Sequence, residues 1–372
     1  MEDHKRKGDS ATATEHKKTK KEQVHTKDAM INNDAMLQNN DGSQLLLKLI
    51  HTKAMSIKTR DEIIFSAQRD DNLCKVFKGL SDKRFMSVPV FLTTDLLINL
   101  FVYKQKDKKK WISFLGLFDI VKYVNEHFGK EKMSLEHDFW KMTNESEAFQ
   151  KLKVNDVMSF PTRENKFHPI TQDYSLFSVV EIMARDPHAH HIAILDDMKN
   201  RHLVSILTQS QLIKFVYEHL SLLGAKKDLL IKNMRGLCSE ADVVSVPMTM
   251  LTIDAFKVME DHNVTGLAVL SESGQLVDTL SIRDLKGMAT DGSLFWKLYR
   301  PVSEFLEFLK KDAKTLRPRH AIFCIKDETF ESALTKIYTN QVHRIFVVDS
   351  SESRKPISVI SLGDLLLQLL PF

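Results

Sequence analysis

One pattern of strands and helices occurs four times along this chain of 372 residues, and this repetition constrains the fold more than any other feature. Each copy reads as an apolar strand, a short helix, two apolar strands joined by a polar turn, and a second helix. The second helix opens at a Ser/Thr–x–x–acid step or a variant of it. The closing positions of the copies are residues 119, 211, 284 and 364. Their unequal spacing excludes a solenoid of fixed period and favours four small domains joined by linkers.

The fourth copy shows the pattern most clearly. Residues 320–325 read as a strand, and Thr329 precedes a helix whose apolar residues recur at helical spacing. Two further strands are predicted over 344–348 and 357–360, with a polar turn between them. The closing helix is predicted over 361–370.

The other three copies follow the same order with decreasing clarity. In the third copy, Thr252 is predicted to cap the first helix, and the closing helix starts at Ser281. Its strands are predicted over 243–246, 266–270 and 276–280. The second copy has a helix over 176–184, strands over 191–195 and 203–207, and a closing helix that runs to Leu223. The first copy has a helix over 72–80 and strands over 87–91 and 111–115. A linker helix with one apolar side is predicted over 303–311.

The copies divide the chain into five predicted segments. Residues 1–42 are rich in polar and charged residues and almost without aromatic ones. This tail is predicted to be disordered because it cannot bury enough apolar surface to offset its chain entropy. The four repeats are predicted over 45–128, 150–223, 238–290 and 316–372. The stretch 92–110 of the first repeat is interpreted as an insertion.

The distribution of charge excludes a protein whose whole surface is basic, as a nucleic-acid binder would need. The net charge is +4, and residues 1–27 alone carry eight basic against five acidic residues, so the folded part is near neutral. Within this tail, the basic clusters 5–6 and 17–20 fit a two-part nuclear import signal. A solvated lysine-rich tail is the alternative that stays open. A cytoplasmic or nuclear location, or both, is predicted.

Several classes of function lack their sequence signals. The three cysteines, Cys74, Cys238 and Cys324, are far apart, which predicts a reduced intracellular protein without a disulfide framework or a zinc site. The longest apolar run, 96–103, is too short to span a bilayer, so no membrane partner is expected. The sequence contains no nucleophile elbow, H-E-x-x-H, kinase loop set or Walker motif, so we expect no catalysis.

A β-α-β-β-α unit repeated four times resembles the cystathionine-β-synthase (CBS) domain. The residues that carry the resemblance are 341–349 with 359–364 in the fourth copy, and 264–269 with 274–284 in the third. As a whole the chain resembles the γ regulatory subunit of AMP-activated protein kinase and its fungal and plant relatives. The resemblance implies an α/β fold of four CBS domains arranged as two tandem pairs (Bateman modules). It also implies that AMP, ADP and ATP are regulatory ligands, with no catalytic cofactor.

The Ser–x–x–Asp step suits a nucleoside because a carboxylate in the first turn of a helix can accept hydrogen bonds from both ribose hydroxyls. By resemblance, Asp284 with Ser281 and Asp364 with Ser361 are the candidates for ribose. His343 and Arg344, which precede and start a strand, are the candidates for phosphate. The alternative for each step is a helix cap with a solvated carboxylate.

The first two copies depart from this pattern. The first keeps Asp119 but has Gly116 in place of the hydroxyl, and the second has Thr208 but carries Gln211 in the acid position. An amide brings no charge, so Gln211 puts ribose binding by the second copy in doubt. His190 and His191 take the place of His343 and Arg344 and are predicted to contact phosphate. Together with His188 they also suit a metal, but nothing nearby completes a ligand set, so no metal site is predicted.

Two functions are compatible with these residues. The first is a non-catalytic adenine-nucleotide sensor that acts as the γ-type subunit of a kinase heterotrimer, with catalytic and scaffold subunits as partners. The second is a stand-alone CBS-repeat scaffold that regulates another partner, such as a protein phosphatase, with a nuclear location as one option. An enzyme has no supporting constellation of residues.

Overall fold

The computed structural model describes residues 42–57, 64–91, 113–129, 139–158, 169–197, 203–237, 243–287, 295–311 and 320–371. The predicted tail clusters and the predicted insertion over 92–110 lie outside these residues. The strands are β1 (Ala67–Gln68), β2 (Ser87–Phe91), β3 (Ser113–Gly116), β4 (Ile170–Thr171), β5 (His191–Leu195), β6 (Leu203–Thr208), β7 (Ser245–Pro247), β8 (Gly266–Leu270), β9 (Leu276–Ser281), β10 (Phe323–Ile325), β11 (Arg344–Val348) and β12 (Pro356–Ser361).

The helices connect and cover these strands. They are α1 (Ser43–His51), α2 (Leu73–Asp82), α3 (Leu117–Phe128), α4 (Phe139–Lys151), α5 (Val154–Met158), α6 (Leu176–Arg185), α7 (Gln209–Glu218), α8 (Thr252–Asp261), α9 (Val302–Lys311), α10 (Phe330–Thr339) and α11 (Leu362–Leu369). Short 3₁₀ turns span Ala54–Ile57, Leu220–Asp228, Ile231–Asn233, Ile282–Gly287 and Phe295–Tyr299. Within the described residues, no helix is long and apolar enough to cross a membrane.

Each repeat is built on its own three-stranded sheet, and the four sheets have the same topology. The middle strand pairs in parallel with the first strand and antiparallel with the third, as β11 does with β10 and β12. The parallel pair needs a crossover, which the first helix of the repeat provides, and the antiparallel pair needs only a turn. The predicted α/β fold of four β-α-β-β-α repeats is confirmed.

The segment that precedes each sheet packs against the other repeat of its pair. Ala54, from the segment before the first sheet, donates its N–H to the carbonyl of Tyr174 in the second repeat at 2.8 Å. In return the N–H of Leu73 in the first repeat donates to the carbonyl of Leu152 at 2.8 Å. Leu152 belongs to the segment that precedes the second sheet in the chain. Repeats 3 and 4 exchange segments in the same way through 295–311 and 220–237. Residues 45–57 therefore pack on the second repeat, although the sequence groups them with the first.

Two local predictions are wrong, and the closing helix predicted from Ser281 is a 3₁₀ turn over Ile282–Gly287. Thr252 does not cap α8, because Leu251 is the cap residue and the Thr252 hydroxyl donates to the carbonyl of Arg300 at 2.8 Å instead. The exchanged segment of repeat 4 supplies that acceptor. The closing helix of the second repeat ends at Glu218 rather than at Leu223. The 3₁₀ turn that follows is bent at Gly224, where φ is 55° and ψ is −137°, a conformation that favours glycine.

The hydrophobic core joins the repeats in a ring. One cluster joins repeats 1 and 3, where α3 packs on α8 and Asn125 donates to the carbonyl of Phe256 at 3.1 Å. A second joins repeats 2 and 4, where α11 packs on α6 and α7. A third lies between the sheets of repeats 3 and 4 and includes Ala268 and Phe346. Repeats 1 and 2 meet where Ser87 contacts His191. The order around the ring is therefore 1–2–4–3.

The linker helix predicted over 303–311 is present as α9. Its apolar side, with Phe305, Leu306 and Leu309, is buried in the core that repeats 1 and 3 share. At its end Lys310 forms an ion pair with Asp278 of β9 at 2.9 Å. The side chains of Asp278 and Lys310 are 10% and 19% exposed, so the ion pair is largely removed from water.

Candidate functional site

The two Ser–x–x–Asp steps and the two variants of them occupy equivalent positions in the four sheets. In each repeat, the first residue of the middle strand pairs with the last residue of the third strand. These pairs are Ser87 with Gly116, His191 with Thr208, Gly266 with Ser281, and Arg344 with Ser361. The predicted equivalence of His190 and His191 to His343 and Arg344 agrees with this register. The histidines and Arg344 therefore lie beside the start of the closing helix or turn.

The step in each repeat caps its own helix or turn. In repeat 4 the N–H of Ser361 donates to Oδ2 of Asp364 at 2.7 Å, and the Ser361 hydroxyl donates to the same oxygen at 2.6 Å. Asp119, Asp284 and Gln211 accept the equivalent backbone N–H at 2.7 to 2.9 Å. No described residue donates to Oδ1 of Asp364. The cap and the ribose interpretation are therefore compatible, because the cap uses one carboxylate oxygen.

The carboxylate of Asp364 lies in a largely buried place close to a cation. Burial raises its pKa above the usual range, while the hydrogen bonds from Ser361 and the nearby charge of Arg344 lower it. The net pKa is raised. A carboxylate held this way would gain from a ligand that donates hydrogen bonds to it.

Arg344 crosses from repeat 4 to repeat 3. Its guanidinium donates to the hydroxyl of Thr265 and, through Nη1, to the carbonyl of Gly266 at 3.4 Å. A Cβ at Gly266 would lie 3.0 Å from the guanidinium carbon, so the glycine leaves room for this approach. The sequence placed Arg344 at the site but did not show that repeat 3 fixes its position.

Side chains from three repeats come close to His343. Its Nε2 lies 3.3 Å from the hydroxyl of Ser210 in repeat 2. Burial lowers its pKa well below the usual value, and Arg283, Arg344, His190 and Lys286 lower it further. The ring is therefore neutral at pH 7 and can donate one hydrogen bond but no charge.

Arg283 and Lys286 are site residues that the sequence analysis missed. Nη1 of Arg283 donates to the carbonyl of Gln341 in repeat 4 at 2.7 Å. Nζ of Lys286 donates to the carbonyl of Phe85 in repeat 1. Burial, and to a smaller extent Arg283, lowers the pKa of Lys286 to about 7. In the sequence, the two residues could be recognised only by their position just after Ser281. Basic residues on a solvent-exposed helix face would occupy the same position, so the signal was not specific.

We call the central junction the place where Phe85, His190, Arg283, Lys286, His343 and Arg344 come together. It draws on all four repeats; Arg283, Lys286 and Arg344 are its basic side chains, and the Asp364 carboxylate lies beside Arg344. Like charges that lie close together repel one another unless an anion accompanies them. The central junction therefore suits an anionic ligand.

Repeats 1 and 2 offer less charge where they meet. Nε2 of His191 lies 3.0 Å from the hydroxyl of Ser87, and the ring lies nearly parallel to Phe114 with centroids 5.7 Å apart. Burial, followed by the nearby His190, lowers the pKa of His191 to about 3. Nδ1 of His190 lies 3.3 Å from Oε1 of Gln209. This contact surface is thus neutral and partly aromatic. Across the described residues, no group of three His, Cys, Asp or Glu side chains could hold a metal.

Comparison with known proteins identifies the repeats. The family model of the CBS domain matches residues 235–289 and 314–370, which contain the third and fourth sheets. These two stretches are CBS domains. A crystal structure from Methanocaldococcus jannaschii, described as that of a candidate archaeal homologue of the AMP-activated kinase γ subunit, has the same fold. It is 15% identical, the TM-score is 0.59, and the match covers 85% of this chain and 99% of that one.

Two kinds of curated relatives are similar to this chain. The γ-3 subunit of 5'-AMP-activated protein kinase from Bos taurus is 27% identical over 199 residues, which is 53% of this chain and 38% of that protein. Protein SDS23 of Candida albicans is 22% identical over 316 residues, which is 82% of this chain and 49% of that protein. The chain thus spans about half or less of the length of these relatives. The predicted resemblance to the γ subunits is confirmed.

Proposed function

We propose that this CBS-domain protein is a non-catalytic regulator that binds adenine nucleotides between its paired repeats. The observation that carries the proposal is the central junction, where cations from repeats 3 and 4 surround the neutral His343. Asp364 lies close enough to Arg344 for the guanidinium to lower its pKa. A cation and a carboxylate side by side match the phosphate and the ribose of one nucleotide.

Each predicted residue has a distinct part in this proposal. Arg344 and His343 would bind phosphate, the first through charge and the second through one hydrogen bond. Oδ1 of Asp364 would accept from the ribose hydroxyls while Oδ2 keeps the helix cap. Asp284 with Ser281 would do the same in repeat 3. Sites at Asp119, Thr208, His190 and His191 remain predictions, and the neutral surroundings of His191 imply weaker binding of phosphate there.

The partner is proposed from the relatives. The γ-3 subunits are components of a kinase, so we infer a regulatory place for this chain in a kinase complex with catalytic and scaffold subunits. Regulation requires that two conformational states of the complex differ in their affinity for AMP and ATP. The central junction could supply that difference because it joins all four repeats.

A second candidate function has one observation in its favour. The match to Protein SDS23 covers 82% of this chain, whereas the match to the γ-3 subunit covers 53%. A scaffold that regulates another partner, such as a protein phosphatase, in the cytoplasm or the nucleus, therefore stays open. Affinity purification of the tagged protein from its source, followed by mass spectrometry, separates the two. Kinase catalytic and scaffold chains support the first candidate, and a phosphatase without them supports the second.

Asp364→Asn tests the ribose contact. The amide oxygen can keep the cap on Ser361 but cannot offer a charged acceptor, so we expect AMP to bind about tenfold more weakly. Isothermal titration of the full chain with AMP, ADP and ATP gives the affinities. Glu352→Gln, in the exposed turn of the same repeat, is the control and should bind as the parent does. A parent protein that binds no adenine nucleotide would contradict the proposed function.

A further inference from the structure

Repeat 1 carries an exposed aromatic residue where the other repeats hold a smaller and more buried one. Phe85 lies two residues before the middle strand of its sheet and is 39% exposed. The residues at the same distance from the middle strand in repeats 2, 3 and 4 are Ala189, Val264 and Val342. Ala189 is buried, and both valines pack against the core clusters. The repeat therefore does not need an exposed ring here, and its surroundings show what the ring suits.

A second aromatic ring lies beside Phe85. The ring centroid of Phe65 is 6.5 Å from that of Phe85, and the Phe65 ring packs across α2 at Gly79. A Cβ at Gly79 would lie 2.2 Å from Cζ of Phe65, so only glycine admits the ring at this distance. Glycine inside a helix lowers the stability of that helix. Repeat 1 thus accepts a less stable helix in order to place two adjacent rings at its surface.

Basic side chains border the two rings. Gly79 lies between Lys75 and Lys83 along one side of α2, because residues four apart in a helix face the same way. Nζ of Lys83 lies 5.9 Å from the ring centroid of Phe65, which is a cation–π distance. We call the aromatic–basic patch the group formed by the partly buried Phe65 and the exposed Lys75, Lys78, Lys83, Arg84 and Phe85.

The aromatic–basic patch carries more positive charge than its own neighbours balance. Asp82 is the acidic residue of α2, and it pairs with Lys78 at 3.4 Å. Within the part of the chain that the structure describes, no carboxylate forms an ion pair with Lys75, Lys83 or Arg84. Repeat 3 is basic at only one of the four matching positions, which hold Asp254, Lys257, His262 and Asn263. The cations therefore belong to repeat 1 and not to the common fold.

Helix stability does not explain these cations. Lys75 lies in the first turn of α2, where the helix dipole disfavours positive charge. Arg84 has a φ of 59°, in the left-handed region, and the matching residue of repeat 3 is Asn263, a residue type that adopts this conformation more readily. Both residues are unfavourable for the local backbone, whereas both suit a surface that binds negative charge.

We propose that the aromatic–basic patch docks an acidic segment of a partner protein, whose apolar side chains cover the two rings while its carboxylates pair with the surrounding cations. Aromatic and arginine side chains contribute most of the binding energy of protein interfaces. Complementary charge around them speeds association and selects the partner. The proposal goes beyond the proposed function and does not depend on the binding of nucleotides.

Charge decides which occupant fits the patch. A second copy of this chain, docked patch to patch, would bring like charges together. Residues 1–27 are basic overall, and residues 92–110 contain five lysines and two aspartates, so neither segment is complementary. Asp82 is 65% exposed among the cations, and a uniformly anionic membrane or nucleic acid would repel it. A segment with separately placed carboxylates avoids Asp82 and fits both the cations and the rings.

Photo-cross-linking in the source cells identifies the occupant. The photoreactive residue p-benzoylphenylalanine, in place of Phe85, keeps an aromatic ring at the patch. In place of Val277 of repeat 3, which is also 39% exposed, it serves as the matched control. We expect irradiation to join position 85, but not position 277, to a segment of another protein that combines Asp and Glu with apolar residues. A cross-link from position 85 to a lipid, a nucleic acid or this chain itself would overturn the proposal, and so would the absence of any cross-link above the control.

The cross-linked segment, synthesised as a peptide, then tests the patch residues. The triple variant Lys75→Asp, Arg84→Asn and Phe85→Val introduces the residues of repeat 3, which folds with them, and should bind the peptide about 100-fold more weakly. Lys257→Ala, at the position of repeat 3 that matches Lys78, should bind as the parent does. Fluorescence polarisation measures the affinities, and raising the salt from about 50 to about 300 mM should weaken binding to the parent. Equal affinity of the parent and a folded triple variant would show that the patch is not the docking surface.

Discussion

Replacing Arg344 with alanine is expected to weaken the binding of AMP about 100-fold, the largest effect on a ligand that the site predicts. The guanidinium is the one permanently charged group of repeat 4 at the central junction, and Thr265 and Gly266 of repeat 3 fix its position. Charge-assisted hydrogen bonds contribute up to about 3 kcal/mol, which corresponds to this factor.

Two further variants separate the charge of Arg344 from its position. Arg344→Lys keeps the charge but not the paired donors, so about tenfold weaker binding is expected. Gly266→Ala leaves Arg344 in place in the sequence but puts a methyl group 3.0 Å from its guanidinium, and a loss of similar size is expected. Titration with AMP measures all three, and Lys326→Ala on the exposed side of repeat 4 serves as the control. Unchanged affinity in Arg344→Ala would exclude the guanidinium from the site.

Local patterns explain how much of the fold the sequence could predict. The strand predicted over 344–348 and the helix predicted to follow Thr329 agree with the structure because each depends on residues close together in the chain. The Ser361 cap is likewise formed within one turn. The same holds for α9, whose apolar spacing alone determines which side is buried. Repeated four times, these local signals were sufficient for the fold class.

Contacts between distant residues explain what the sequence could not predict. The bond from Lys286 to Phe85 joins residues 201 positions apart, and the bond from Arg344 to Thr265 spans 79. Nothing near Lys286 in the chain distinguishes it from a solvated lysine. Threonine is a residue type that often caps helices, but the Thr252 hydroxyl donates instead to the carbonyl of Arg300, 48 residues away. The exchange of segments within each pair could not be predicted either, because it also depends on contacts between residues far apart in the chain.

Replacing Asp278 with alanine is expected to lower the free energy of unfolding by about 3 kcal/mol, the largest effect on stability that we predict. The ion pair between Asp278 and Lys310 attaches α9, which precedes repeat 4 in the chain, to the sheet of repeat 3. Removing the carboxylate leaves the Lys310 ammonium largely buried, with Glu307 as its remaining ion-pair partner. The exchange of segments within the pair should weaken with it.

The pH dependence of this loss has a definite sign. Burial lowers the pKa of Lys310, but the hydrogen bonds to Asp278 and Glu307 outweigh it, and the net pKa is raised. A raised pKa means that the stabilisation is fully present below the unfolded pKa of about 10.4 and is lost as the pH rises through the folded value. The difference between the parent and Asp278→Ala should therefore be constant from pH 6 to about pH 9 in denaturant unfolding.

Two comparisons show whether burial is the reason for this cost. Asp261→Asn removes an ion pair with Lys257 in which both side chains are 55% exposed, and it should cost at most about 0.5 kcal/mol. The double variant Asp278→Leu with Lys310→Met replaces both charges by apolar groups and should recover most of the loss. Recovery would mean that the ion pair adds little net stability, and that its main role is to fix the position of α9 against the sheet. If the double variant is as unstable as Asp278→Ala, the hydrogen bonds of Asp278, including the one from the N–H of Thr279 at 2.7 Å, carry the stability instead of its charge.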